Sequence, residues 1–574
     1  MVRGRSFLFR KLQSIVQRSF LEQQWQKHSS GRDGLIISRR EFVKGVSLLG
    51  SGYSILSGVS SWACPPPFKL KNPIVVVGGG LAGLTTCYLL KKHNLPFMLF
   101  EASSRLGGRV FTQNHFNDDG QFVELGAELI DSHHSKIRSL AEELRLSLDY
   151  FPDGDSGLTT SSIYVFQNKV FNDNDLLRGV RSLVDEIVRV RSKIDPGNRT
   201  PILNAFYSNP FFSQYDAMSL RDFLRRLVSR VPNWVLHIVK VAYETEYGVD
   251  AGQLSAVALI DLIDTDLDDN HFSMYGESDE AWRIHGGNSA LIDALRMNIE
   301  KNARGIGKIY CNFRLLDIIP SYLSKRWGDH QQYCLIFQNG DKKYSVLAEV
   351  VVLALPLTQL RKLPCFKRPD TLNFREPTWR AIQKLQYGQN TKAMLSFKRR
   401  FWRDRGSLNP PIPDFAGSIY SDWWTQTYWE TSRLQAGDQG ILTNFTGGTR
   451  AIELGNMEKQ QLYPRYLQDL SFLHPRLSEF ALYDHFSKMA WHRYPFVEGS
   501  YLSPGVGQYS TLLGYQALPN IDEQVYLAGE HADFKFWGFM EGAVSSAYRV
   551  VQQILKKLNV KDDLKISSVS GYPK

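Results

Sequence analysis

The segment that most constrains this chain runs from Pro73 to Glu101. Pro73-Ile74-Val75-Val76-Val77 is a short β-branched apolar run, the composition of a strand buried on both faces of a parallel sheet. It leads into Gly78-Gly79-Gly80-Leu81-Ala82-Gly83, a GxGxxG, then a helical stretch from Leu84 to Lys92 and a second apolar run from Pro96 to Phe100 ending in Glu101. Strand, glycine turn, helix, strand and acid in that order predict a Rossmann-like βαβ unit and hence an α/β fold. Gly78 permits the tight turn, Gly80 lets the backbone approach a pyrophosphate, and Gly83 lets the helix pack on the strand. Leu81 and Ala82 lie within the GxGxxG, and the free N–H groups and positive end of the helix that follows suit phosphate. Glu101 lies 21 residues beyond Gly80, the spacing for a ribose hydroxyl pair. A glycine turn with no ligand has no need of the whole ordered set.

Charge and cysteine content exclude other classes. The 574 residues carry a formal net charge of +10. Residues 1–64 hold ten Lys/Arg and three acids, a net of +7, which leaves +3 for the other 510 residues and no polyelectrolyte signal for nucleic acid. Five scattered cysteines form neither a disulfide framework nor a CxxC metal site, and no metal is expected. The basic N-terminus reads as an address: Ser38-Arg39-Arg40-Glu41-Phe42-Val43-Lys44 is a twin-arginine pattern, followed by a soft apolar stretch without charge until Lys69. Export of the folded protein by the twin-arginine machinery to the periplasm is the expectation. A lipid anchor at Cys64 is the minor alternative, because Ser61-Trp62-Ala63 is a poor lipobox.

Arg105-Leu106-Gly107-Gly108-Arg109 follows the second strand at once. Two glycines again bring backbone close to a ligand, and Arg109 offers a fixed, forked cation for phosphate, an element a nicotinamide dehydrogenase does not need. It resembles the RxGGR element of the FAD-dependent amine oxidases, the monoamine, polyamine and L-amino-acid oxidase superfamily. Further segments resemble that family in order: Glu124-Leu125-Gly126-Ala127-Glu128, Gly286-Gly287-Asn288, the strand around Leu315, Val350 to Pro356, Ala528-Gly529-Glu530, and Trp537-Gly538-Phe539-Met540-Glu541-Gly542-Ala543. The resemblance spans about 73 to 556 and implies an FAD-binding set of Gly78, Gly80, Leu81, Ala82, Gly83, Glu101, Ala102, Arg109, Gly126, Ala127, Glu128, Leu315, Gly529, Glu530 and Met540. It also implies a Rossmann-like FAD-binding domain built from discontinuous segments (70–135, 275–355 and 485–560) plus an α+β substrate-binding domain (136–274 and 357–484), with a signal region at 1–64 and a flexible tail at 561–574. The active site should lie between the two domains.

In this family the flavin performs the redox step and the protein binds and orients it. The amine must be neutral when it reacts, so the site calls for an aromatic-walled box that disfavours the ammonium by desolvation. Tyr501 is one expected wall, and Phe539 with Trp537 the other; ordinary core packing is the alternative for all three. Ser500 stands where monoamine oxidases attach FAD through cysteine, so noncovalent FAD is expected. Many relatives place a lysine near flavin N5. Here the aligned position falls on Thr378; Arg380 and Lys384 read as exposed helix cations, with geometric substitution the alternative, which leaves oxidase against dehydrogenase open. Glu128 favours a cationic substrate group or else fixes local backbone, and Arg493 is the anchor sought for a substrate carboxylate. The expected reaction is oxidation of an amine to an imine, with O2 as acceptor giving H2O2. An L-amino-acid oxidase acting on basic amino acids, a desaturase-type flavoprotein and a FAD-binding scaffold without turnover are the alternatives, and a homodimer stays open.

Overall fold

The strand Ile74–Val77 pairs in parallel with Phe97–Phe100 on one side and Val350–Leu353 on the other, with Ile74 opposite both Phe97 and Val350. Gly307–Tyr310 and Val525–Leu527 complete five parallel strands. The computed structural model that shows this describes residues 73–561 apart from 156, 266–272, 302–306, 323–330, 405, 407, 410 and 411. The expected leader, Cys64 and the tail beyond 561 lie outside the described residues.

Side chains on a strand alternate between faces, so a continuous apolar run needs cover on both. Ile74, Val76 and Leu99 enter one core with Leu84, Leu291 and Val544 from the helices Leu81–Lys92, Ser289–Glu300 and Met540–Lys557. Val75, Val77 and Phe100 enter the other, under an antiparallel sheet of Arg314–Tyr322, Gln331–Asn339 and Lys342–Ala348. Phe337 of that sheet stacks on Phe100 at 4.3 Å. Each such side chain contributes roughly 1.5–3 kcal/mol when fully buried.

A second sheet of seven strands runs in the order Ala481–Ala490, Asn390–Phe397, Gly440–Gly447, Thr427–Glu430, Phe415–Ser421, Thr160–Phe166, Lys169–Asn172. The amphipathic pattern from Leu176 to Ile194 is the helix Asp173–Ile194, started by an Asn172/Asp175 capping box. The architecture is therefore mixed α/β: a Rossmann-like unit assembled from separated stretches, joined to an α+β part. Two junctions fall away from the expected positions. Ser135–Glu143 sends Ile137 and Leu140 into the helix-side core, and Leu148–Tyr150 pairs with Trp282–Ile284, so the chain leaves this unit after residue 150 rather than at 135. Ala481–Ala490 pairs with Asn390–Phe397, so its return falls after 490 rather than at 485. Among the described residues no helix is long and apolar enough to cross a membrane.

One buried acid holds two of these helices together. No side chain at the helix's own start caps Ser135–Glu143; instead Glu541 accepts the N–H groups of Lys136 at 3.0 Å and Ile137 at 2.8 Å. Replacing Glu541 by Ala strands two donors in a site where the acid is 0% exposed. Thermal melting should show a loss of about 2 kcal/mol, with Glu541→Gln losing less because one acceptor remains.

Candidate active site

The three motif glycines stand in different surroundings. Gly78 has φ +106 and a Cβ there would meet Ala354 O at 2.4 Å; at Gly83 it would meet Gly78 O at 1.9 Å. Both glycines are demanded by the protein's own packing. Gly80 is not: its φ is −75, open to any residue, and the nearest atom to a Cβ is Gly107 O at 3.9 Å. What Gly80 leaves open is the wall of a continuous cavity of about 3670 Å³, lined here by Gly78, Gly80, Leu81 and Ala82. The helix Leu81–Lys92 begins with no side-chain cap, so its first N–H groups face this space with the positive helix end behind them. Gly107 docks on the turn through its N–H to Gly79 O at 2.8 Å. Glu101 accepts from Gly79 N–H at 2.7 Å and from Ser103 N–H and Oγ at 2.8 Å, and with Ala102 it lines the same cavity. A dinucleotide fits this cradle: uncapped donors for phosphate, a carboxylate beside them, and a missing side chain where only a ligand needs the room.

Arg109 and Glu530 join the two ends of the chain. Arg109 Nη1 donates to Glu530 Oε1 and to Ser500 O, both at 2.7 Å. Glu530 Oε2 accepts Gly538 N–H at 2.9 Å. Burial raises the Glu530 carboxyl, but Arg109 outweighs it and holds the group below its ordinary range. This pair fixes the turn that carries Trp537, Gly538 and Phe539. Gly538 has φ +87, and a Cβ there would touch the Tyr501 ring at 3.6 Å, so Tyr501 and the turn are neighbours. Tyr501, Trp537, Phe539 and Met540 line the cavity that begins at Gly78, and Gly126, Ala127 and Gly529 line it too. Trp537 lies 5.9 Å from Tyr247 and 6.0 Å from Tyr509, while Phe539 meets His134 edge-on at 5.0 Å. The Tyr501 hydroxyl donates to the Glu246 carbonyl.

No lysine stands at Thr378, and a buried lysine reaches the cavity from another strand. Thr378 is buried and uncharged on the cavity wall. Lys392, in the fully buried strand Asn390–Phe397, reaches the same cavity and donates to Gly126 O at 3.0 Å and Glu128 Oε2 at 2.8 Å. Both side chains of this pair are at most 4% exposed. Burial raises the Glu128 carboxyl, but Lys392 together with Arg283 and Trp429 lowers it more, for a net shift below the ordinary value. Glu128 also accepts from Thr431 Oγ1 at 3.0 Å. Its charge is thus already met inside the protein, which leaves no need for a substrate cation there.

One other expected position does not reach the site. Arg493 closes the turn Trp491–Arg493, in which Trp491 is the buried member; Arg493 is exposed and off the cavity wall. Leu315 precedes an irregularity in strand pairing, and its side chain is buried with Phe337; the contact that the resemblance implies for it is a backbone one. The wall also carries residues that sequence reasoning did not single out: Lys392, Glu246, Glu280, Tyr275 and Tyr420. Asp131, His133 and His134 gather one potential ligand atom each within 4.8 Å. Burial, then His133 and Lys535, push His134 down to about 3, and this surrounding positive charge opposes a cation there.

A parallel sheet, an uncapped helix start and a cavity joined to it are the arrangement of a dinucleotide-binding α/β protein. The chain matches the model of the flavin containing amine oxidoreductases over residues 81–555, and it belongs to that family. It is 24% identical over 503 residues to the flavin-dependent L-tryptophan oxidase RebO of Lentzea aerocolonigenes, covering 84% of this chain and 97% of the relative. It is 23% identical over 512 residues to an L-amino-acid oxidase of Siganus canaliculatus, covering 86% and 87%. Among solved structures, cyclohexylamine oxidase from Brevibacterium oxydans IH-35A shares the fold at a TM-score of 0.67 and 16% identity, over 85% of this chain and 99% of that one. Wild-type putrescine oxidase bound to putrescine does so at 0.64 and 16%, over 85% and 99%.

Proposed function

We propose that this chain is a FAD-dependent oxidase of amines or amino acids. The observation that carries the reading is one cavity running from the glycine cradle past Lys392 to the wall of Tyr501 and Trp537. Bound FAD supplies the acceptor for the hydride that leaves the carbon next to nitrogen; the imine then hydrolyses in water, and O2 takes the two electrons to give H2O2. The chain's own part is to prepare the amine. Tyr501 and Trp537 disfavour the ammonium by desolvation, which frees the nitrogen lone pair for the forming imine. Arg109 and the helix start hold phosphate and ribityl groups. Ser500, with its hydroxyl donating to Asn390 Oδ1 at 2.6 Å, offers no thiol for a flavin bond, so FAD is held noncovalently.

Within this reading, the amino-acid alternative is favoured by the relatives that carry that activity. A desaturase reading would want a long apolar tunnel, and Lys392, Glu246 and Glu280 make this wall polar. The twin-arginine leader belongs to the same proposal: FAD is bound before the folded protein is exported to the periplasm. The test is to purify the protein, record the flavin spectrum, and add amines and amino acids under anaerobic conditions. Bleaching by at least one member is expected, and none across the panel would overturn the reading.

A further inference from the structure

The buried acids around the cofactor cradle have protein partners: Glu128 has Lys392, Glu530 has Arg109, and Glu124 accepts from Asn288 N–H at 2.6 Å and from Thr112 Oγ1. Beyond Tyr501 this pattern breaks. Glu246 ends the helix Asn233–Tyr247 one residue before its last, and its carbonyl takes the Tyr501 hydroxyl. Glu280 sits just before the strand Trp282–Ile284, with its N–H on Asp131 Oδ1 at 2.8 Å. Both side chains line the cavity, and among the described residues neither carboxylate has a hydrogen-bond or ion-pair partner. Behind them Asp131 is 2% exposed, and its Oδ2 has no hydrogen-bond partner.

Burial, then the charge of Asp131, raises Glu246 to about 7. Burial, then Glu246 and Asp131, raises Glu280 to about 8. The cation that offsets Glu280 is Arg433, and its guanidinium is committed to Asp155 at 3.2 Å. Tyr275 and Tyr420 stand in the field of both acids, so the walls are aromatic. An unpaired buried carboxylate is costly. Glu246 and Glu280 are half-buried on the cavity wall, and two such carboxylates without a partner, aromatic-walled, make a receptor for a cation that enters the cavity.

We propose that Glu246 and Glu280 bind a second cationic nitrogen on the substrate, so that the molecule oxidised is an alkyl chain with an ammonium or guanidinium at its far end. The proposal rests on the amine- or amino-acid-oxidase reading and narrows its substrate class. Either a diamine or a basic L-amino acid supplies this chemistry.

The test uses FAD-loaded full-length protein under anaerobic conditions. Flavin reduction is followed with 1,4-diaminobutane, 1,5-diaminopentane, L-lysine and L-arginine, and with the neutral-tailed pentylamine and L-norleucine. A dicationic member should reduce the flavin with the larger kcat/KM, and the diamines against the two amino acids tell which source applies. In Glu246→Gln and in Glu280→Gln the ratio of kcat/KM for that compound over its neutral-tailed partner should fall on the order of thirtyfold or more, mostly through KM. A second readout is the rise in melting temperature that 1,5-diaminopentane gives the resting protein, which either substitution should remove. If the neutral-tailed compounds reduce the flavin as well as the dicationic ones, or if the ratio survives both substitutions, this proposal falls while the oxidase reading stands. If nothing reduces the flavin, both fall.

Discussion

Gly80→Ala should fold as well as the parent protein and yet lose its flavin. The backbone at Gly80 is at φ −75 and ψ −178, which alanine adopts freely, and no protein atom lies within 3.9 Å of the added Cβ. By itself the substitution should raise apoprotein stability slightly, by about 0.4–1 kcal/mol, because the unfolded chain loses freedom. The methyl group stands where a pyrophosphate must come close, and an overpacking cost of about 1–3 kcal/mol weakens FAD by roughly ten- to a hundredfold. Gly83→Ala is the opposite case. Its Cβ would lie 1.9 Å from Gly78 O, so the helix Leu81–Lys92 cannot stay seated on its strand. That costs about 3 kcal/mol or more before any ligand is considered. Calorimetric melting of both apoproteins, with titration of each by FAD, checks the contrast. A Gly80→Ala protein that binds FAD like the parent would move the pyrophosphate elsewhere.

The glycine cradle was legible because its information is local. Strand, turn, helix and acid follow one another within Pro73–Glu101, and each residue's role depends on neighbours in sequence. Arg109 and Glu530 were legible as parts of motifs, although their direct ion pair was not. The misses have the reverse character. Lys392 escaped because the lysine was sought at the position aligned with Thr378, whereas its place is set by strand pairing of Asn390–Phe397 with Ala481–Ala490. One signal was on view: a lone cation within the run Asn390-Thr391-Lys392-Ala393-Met394-Leu395 needs a partner if that strand is buried. Arg493 was read as near the site because it lies near Tyr501 in sequence. The tight turn that buries Trp491 leaves Arg493 exposed, and distance along the chain does not say which side a residue takes. Glu246 and Glu280 come from a helix end and a strand start that only the tertiary fold brings to one wall, so no local pattern marks them.

Lys392→Met should separate the two halves of the catalytic cycle. In the proposed reaction, reduction of the flavin would remove a hydride from a neutral amine and ask little of a buried cation. Reoxidation by O2 would build negative charge beside the flavin, which a fixed cation there would stabilise. At an effective dielectric of about 20, a unit charge within about 5 Å of the forming anion is worth roughly 3 kcal/mol, or on the order of a hundredfold in rate. The single substitution also leaves Glu128 buried beside a methionine, and breaking such a pair from one side costs about 3–5 kcal/mol. A lower melting temperature would therefore accompany the kinetic effect and could be mistaken for its cause. Lys392→Met with Glu128→Gln separates them: the double variant removes both charges, so its melting temperature should recover most of the loss while reoxidation stays slow. Glu128→Gln alone leaves the lysine's charge uncompensated, and its reoxidation should be no slower than that of the parent. Stopped-flow mixing of the pre-reduced proteins with O2 reads the effect directly. Parental reoxidation in the double variant would show that Lys392 holds the Gly126–Glu128 backbone in place and nothing more, and the acceleration of the oxygen step would then have to come from elsewhere on the cavity wall.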